Sequence, residues 1–115
     1  MTFLQRIKQG LVVFDGAMGT QVHAIDPTDE EWDGRQGCPE VLNFTVPEKI
    51  EQIHINYLSA GSDVVETNTF GGSAGVLGEF DLQERTEELN ETAAKIARRA
   101  ADSFTDRPRF VIGSM

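Results

Sequence analysis

The chain is 115 residues long and carries 10 Lys+Arg against 19 Asp+Glu, a formal charge of −9. That acidity argues against nucleic acid or an anionic membrane as the main partner, and no apolar run approaches the ~20 residues of a bilayer span. With 39% hydrophobic and 25% charged residues and a single cysteine, Cys38, the composition is that of one small, soluble, cytoplasmic domain without an intramolecular disulfide. Met1 to Gly10 lacks the apolar core of a signal peptide.

Along the chain, short apolar runs alternate with helical patterns. Thr2 to Gln9 predicts a short helix with Phe3, Leu4 and Ile7 on one side and Gly10 as its stop. Leu11-Val12-Val13-Phe14 has no polar alternation, which predicts a strand buried on both faces, as in a parallel sheet. Gly16 to Asn43 has no strong period and carries the acidic cluster Asp29, Glu30, Glu31 and Asp33; it reads as short helical turns mixed with functional loop. Thr45-Val46-Pro47-Glu48 has the form of a capping box with Thr45 as N-cap. Ile50, Ile53, Tyr57 and Leu58 then mark one helix face, and Gly61 ends it. Val64-Val65 opens a second strand that runs into Glu66-Thr67-Asn68-Thr69-Phe70. Ala74, Val76 and Leu77 suit a short helix among glycines. Leu82 to Ser103 predicts the longest helix, with Leu89, Ala93, Ile96, Ala97 and Ala100 as its packing face. Its acidic residues gather at the N-terminal end and its basic ones at the C-terminal end, as the helix dipole favours. Phe110-Val111-Ile112-Gly113 opens a third strand.

Strand–helix–strand alternation implies a parallel sheet, whose functional loops lie at the carboxyl ends of the strands. Two such ends are small and polar here. In Asp15-Gly16-Ala17-Met18-Gly19-Thr20 the glycines let backbone approach a ligand, exposed N–H groups can hold a carboxylate or phosphate, and Asp15 can pair with an ammonium. The same residues also suit a plain tight turn with an aspartate cap. Glu66 to Phe70 reads either as the wall of a pocket or as a strand end that caps the next segment. Cys38 has no second cysteine or paired histidine at ligand spacing, so a zinc site from Cys38, His23 and His54 is not expected. Cys38 reads as a loop thiol, the two histidines as partly exposed, Trp32 as a loop anchor and the acidic cluster as a solvated face.

The stretch Leu11 to Thr20, the helix from Pro47-Glu48 to Tyr57, and Ala60-Gly61-Ser62-Asp63-Val64-Val65-Glu66-Thr67-Asn68-Thr69-Phe70 together resemble the homocysteine S-methyltransferase family. Leu89-Asn90, Ala93-Ala94, Ala97-Arg98 and Phe110 to Ser114 continue the likeness, which is strongest to the N-terminal homocysteine-binding domain of its cobalamin-dependent branch. The resemblance implies a (β/α)8 barrel and methyl transfer to a homocysteine thiol activated by zinc. The donor it implies is methylcobalamin, with betaine or S-methylmethionine used by other branches. It places Asp15 near the homocysteine amino group and the Gly16, Ala17 and Met18 amides near the carboxylate, with Glu66, Thr67 and Asn68 lining the same pocket.

The family's zinc cysteines follow later strands, and Cys38 matches none of them, so no residue here inherits a metal role or a catalytic one. Since such a barrel takes roughly 250 residues, the expectation is about three β/α units of it, truncated after the third strand. Zinc-dependent methyl transfer by this chain alone is not expected. Two other readings stand beside this one. The chain could be a stand-alone small domain that binds an amino acid or other carboxylate. It could also be a half-barrel that associates with itself, or with a C-terminal half, through an open sheet edge.

Overall fold

In the computed structural model, which describes residues 1–115, helices alternate with short parallel strands. Helix α1 (Phe3–Ile7) starts at a true capping box. The Gln5 N–H donates to Thr2 Oγ1 at 3.1 Å and the Thr2 N–H to Gln5 Oε1 at 2.8 Å. Gly10, at φ +143°, then turns the chain into the Leu11–Phe14 segment.

That segment departs from expectation. Instead of a full strand it makes a single parallel bridge, Phe14 opposite Val64. Leu11 is 91% exposed, Val13 53% and Phe14 42%, so the run is not buried on both faces. A doubly buried strand needs a neighbour on each edge and cover on each face. Here the segment at Val64 borders one edge only, and the cover is the edge-on stacking of Phe3 against Phe14 and Phe110 at 6.5 and 5.5 Å between ring centres. Backbone bonds still hold the segment in place. The Asp63 and Val64 N–H groups donate to Val13 O at 2.7 and 3.2 Å, and the Asp15 N–H donates to Val64 O at 3.0 Å.

Strands β1 (Val64–Glu66) and β2 (Phe110–Ile112) pair in parallel, with Val64, Val65 and Glu66 opposite Phe110, Val111 and Ile112. The order across the sheet is therefore the Phe14 segment, β1, β2. All three run the same way, as the alternating pattern predicts.

The expected irregular stretch holds α2 (Met18–Ile25), α3 (Asp29–Trp32), a 3-10 turn at Pro39–Val41 and α4 (Leu42–Thr45). Helix α5 (Pro47–Ser59) begins at Val46, not at Thr45, and has no side-chain cap. Thr45 instead ends α4, and its hydroxyl donates to Glu31 O at 2.6 Å. The capping box of this region belongs to Thr28 and Glu31 at the head of α3, and the Glu31 carboxylate also takes Lys49 Nζ at 2.7 Å. Because α4 runs almost directly into α5, the cap lies one residue beyond the sequence signal. Gly61, at φ +119°, closes α5 as predicted.

After a short α6 (Ala74–Leu77), helix α7 (Thr86–Asp102) buries Leu89, Ala93, Ile96, Ala97 and Ala100, the face that the periodicity marked. The larger core packs Ile50 and Ile53 of α5 with Leu89 and Ile96 of α7, Leu42 and Val22. A second cluster sets Ala97, Ala100 and Ala101 against Val65 and Leu58, where the small side chains let α7 lie close to the sheet. Trp32 packs on the larger core and so anchors its loop. No helix is long and apolar enough to cross a membrane.

Candidate functional site

The carboxyl ends of the Phe14 segment, β1 and β2 open onto one cleft of about 490 Å³. Asp15, Gly16, Ala17 and Met18 line it from the first end, Glu66, Thr67 and Asn68 from the second, and Ser114 from the third. Glu40, Pro39 and Gly37 close one side, and Phe70, Val76 and Phe80 form an apolar rim. No Lys, Arg or His lines the cleft, although three carboxylates do.

Asp15 is half-buried and joins the first two strand ends. Its Oδ2 accepts the Glu66 N–H at 3.1 Å, while Oδ1 is buried without any partner. Burial pushes its carboxyl up to about 6, against the Glu66 N–H; the nearby Glu66 charge adds to the rise. Beside it, Ala17 is the N-cap of α2 and has only a methyl group, so no side-chain oxygen caps the helix's first turn. An unpaired carboxylate oxygen and uncapped amides thus stand together.

The threonines and asparagine have other work. Asn68 Nδ2 donates to Pro39 O at 3.0 Å and Asn43 Oδ1 at 3.2 Å, while its own carbonyl accepts Asn43 Nδ2 at 2.9 Å. Thr69 Oγ1 donates to Ser114 O at 3.0 Å, which leaves the Thr67 hydroxyl to donate to Thr69 Oγ1 at 2.7 Å. Thr67 Oγ1 in turn accepts the Ser114 N–H at 3.2 Å. These bonds stitch β1 to β2 and to the turn before α4, and they use up the side-chain donors. Among the lining groups, Asp15 Oδ1 is buried without a partner, the Glu66 carboxylate and the Ser114 hydroxyl make no hydrogen bond, and Glu40 Oε1 meets only Cys38 Sγ, at 3.8 Å. The cleft is an acceptor wall facing backbone donors.

Residues 12–115 match the model of the family described as homocysteine S-methyltransferase. The chain belongs to that family. It is 47% identical over 114 residues to methionine synthase of Mycobacterium tuberculosis (strain ATCC 25618 / H37Rv), and 44% identical over 114 residues to that of Mycobacterium leprae (strain TN). Each alignment covers 97% of this chain but 10% of the relative, so the chain spans about a tenth of the curated relatives it matches. The metallated form of the homocysteine methyltransferase MmuM from Escherichia coli superposes with a TM-score of 0.76 at 20% identity, over 95% of this chain and 39% of that one. Its oxidized form gives 0.68 at 22% identity, over 84% and 32%. The chain therefore has the α/β fold of part of that enzyme.

One side-chain expectation holds and one needs correction. Cys38 is a loop thiol, and a fully buried one; its Sγ lies 3.8 Å from Glu40 Oε1, and burial, with the Glu40 charge, pushes the thiol pKa up. His54 is fully buried in α5 with neither ring nitrogen bonded, and desolvation brings it down to about 4. Its i+4 relation to Ile50 and Leu58 was the signal for an inward face. His23 is exposed. No three His, Cys, Asp or Glu side chains converge as a metal site would need, so the residues present do not fit the zinc that the resemblance implies. Sequence reasoning passed over Glu40, which rests in an irregular stretch, and Ser114. Ser114 was within reach, because it follows the third strand as Asp15 and Glu66 follow the first two.

Proposed function

We propose that residues 1–115 form the N-terminal portion of a homocysteine-binding domain, about three β/α units of a (β/α)8 barrel, and supply the amino-acid half of a site for methyl transfer to homocysteine. One observation carries this reading: Asp15 Oδ1 is buried and unpartnered beside the uncapped amides at the start of α2. A zwitterionic amino acid satisfies both at once. Its ammonium neutralises Asp15, and its carboxylate accepts from the Gly16, Ala17 and Met18 amides, where the helix dipole favours a negative charge. Glu66 adds a second acceptor near the ammonium, while Thr67 and Asn68 hold the wall in shape. An anionic ligand without an ammonium meets three carboxylates and no cation, so the cleft discriminates against it.

The thiol of homocysteine is the methyl acceptor in this reading, and the resemblance makes methylcobalamin the donor, before betaine or S-methylmethionine. No residue of this chain is assigned to zinc or to the donor. Titration calorimetry of L-homocysteine and L-methionine into the chain, with and without Asp15→Asn, tests the reading. Binding that the substitution weakens at least tenfold supports it. Equal affinity of the two proteins for homocysteine overturns it.

The exposed edge at Leu11, Val13 and Phe14 favours a second reading, in which this chain works only when joined to further barrel strands or to another copy. Light scattering at increasing concentration separates it, since a strictly monomeric chain that binds homocysteine excludes the need for a partner.

A further inference from the structure

Tyr57 stands in α5, outside the cleft lining, yet it reaches across 40 positions of sequence to the Asp15–Met18 loop. Its hydroxyl donates to Ala17 O at 2.7 Å. Its ring lies against Gly16 so closely that a Cβ there would come within 3.0 Å of Oη, 3.1 Å of Cε1 and 3.3 Å of Cζ. Gly16 has no positive φ, so the constraint on this position is space and not backbone conformation. A Cβ at Gly16 would therefore make the Tyr57 ring give by a few tenths of an ångström.

Carbonyl and N–H of one trans peptide point in opposite directions. Fixing the Ala17 carbonyl toward α5 therefore fixes the Met18 N–H away from it, and the ring holds the preceding residue at the same time. We infer that Tyr57 is a positioning residue, which sets the Gly16–Met18 peptide planes so that their amides meet the carboxylate of the bound amino acid. It touches no ligand itself. This inference rests on the amino-acid reading of the cleft and adds to it the residue that preorganises the loop.

Tyr57→Phe removes the hydroxyl and keeps the ring. In the full chain, calorimetry with L-homocysteine should show affinity about fivefold weaker, the equivalent of one neutral hydrogen bond, with the melting temperature nearly unchanged. The amide resonance of Met18 should shift on saturation with homocysteine in the wild type and shift less in Tyr57→Phe. Gly16→Ala should weaken binding by displacing the hydroxyl, and it should cost less in the Tyr57→Phe background than alone, because the two changes break the same contact. Wild-type affinity in Tyr57→Phe, or additive losses in the double variant, overturns the positioning role while leaving an Asp15-dependent site intact. A wild-type chain that binds no homocysteine overturns the site and, with it, this role.

Discussion

The carboxylate of Asp15 and the backbone of Glu66 are joined across the first two strand ends, with Oδ2 accepting the Glu66 N–H at 3.1 Å and Oδ1 left buried and unpaired. One oxygen builds the sheet and the other has no partner. That burial has a cost, since a desolvated carboxylate prefers to keep its proton, and the cost makes Asp15 sensitive to pH.

Homocysteine affinity should fall as pH drops through about 6, where Asp15 takes up a proton and no longer neutralises an ammonium. Stability runs the other way. The folded value lies above the ordinary 3.8, so the stability Asp15 contributes is fully present below that value and is lost as pH rises through about 6. Asp15→Asn should thus melt higher than wild type at pH 7 while losing ligand affinity. Paired melting curves and titrations at pH 5 and 7 check both signs.

His54 should make the fold acid-sensitive. Its folded value, about 4, lies below the ordinary 6.5, so its stability is present above 6.5 and is lost as pH falls toward 4. The loss should reach about 3 kcal/mol at full protonation. His54→Leu should remove that loss and leave neutral-pH stability equal or higher, since two unbonded ring nitrogens leave the core. Urea denaturation at pH 7 and pH 4.5 distinguishes this from a packing role, in which the variant is weaker at both.

Asp63 ties the Leu11–Phe14 segment to the body of the chain. It is 3% exposed, accepts the Val13 N–H at 2.9 Å, and pairs with Arg107 and, at 3.5 Å, with Arg6. Asp63→Ala leaves the Val13 N–H without its acceptor, while Arg6 and Arg107 remain partly open to water, and should destabilise by about 2 kcal/mol. Unfolding followed through Trp32 fluorescence measures it, and a loss below 1 kcal/mol, the ordinary value of an exposed pair, contradicts the assignment.

Asn68 should behave as a strut. Both its amide hydrogens are used, on Pro39 O and Asn43 Oδ1. Asn68→Ala leaves a buried carbonyl and Asn43 unsatisfied, and should cost about 2 kcal/mol of stability. An unchanged melting temperature with lost homocysteine affinity would instead make it a direct ligand contact.

Much was legible in the sequence because it was local. The face of α7, the stop at Gly61 and the parallel strand order follow from residue spacing, helix termini and alternation, which need no knowledge of distant contacts. The motifs at Asp15–Thr20 and Glu66–Phe70 were visible as polar strand ends, and their meeting in one cleft follows from the parallel topology. Family membership was likewise in the motifs, since it depends on the order of residues alone.

Tertiary contact decided the rest. Thr45 had the residue types of a cap, but the run of α4 into α5 gave its hydroxyl to Glu31 O. His54 read as partly exposed, and packing of α5 sealed it without partners. Leu11 to Phe14 looked doubly buried, and the set of available neighbours left it half open. The division within the site was also settled in space: Asn68 and Thr67 spend their donors on Pro39, Asn43 and Thr69, while Asp15 keeps one oxygen free. A sequence lists which groups can bond; only the fold, by fixing distances and excluding water, determines which of them already have.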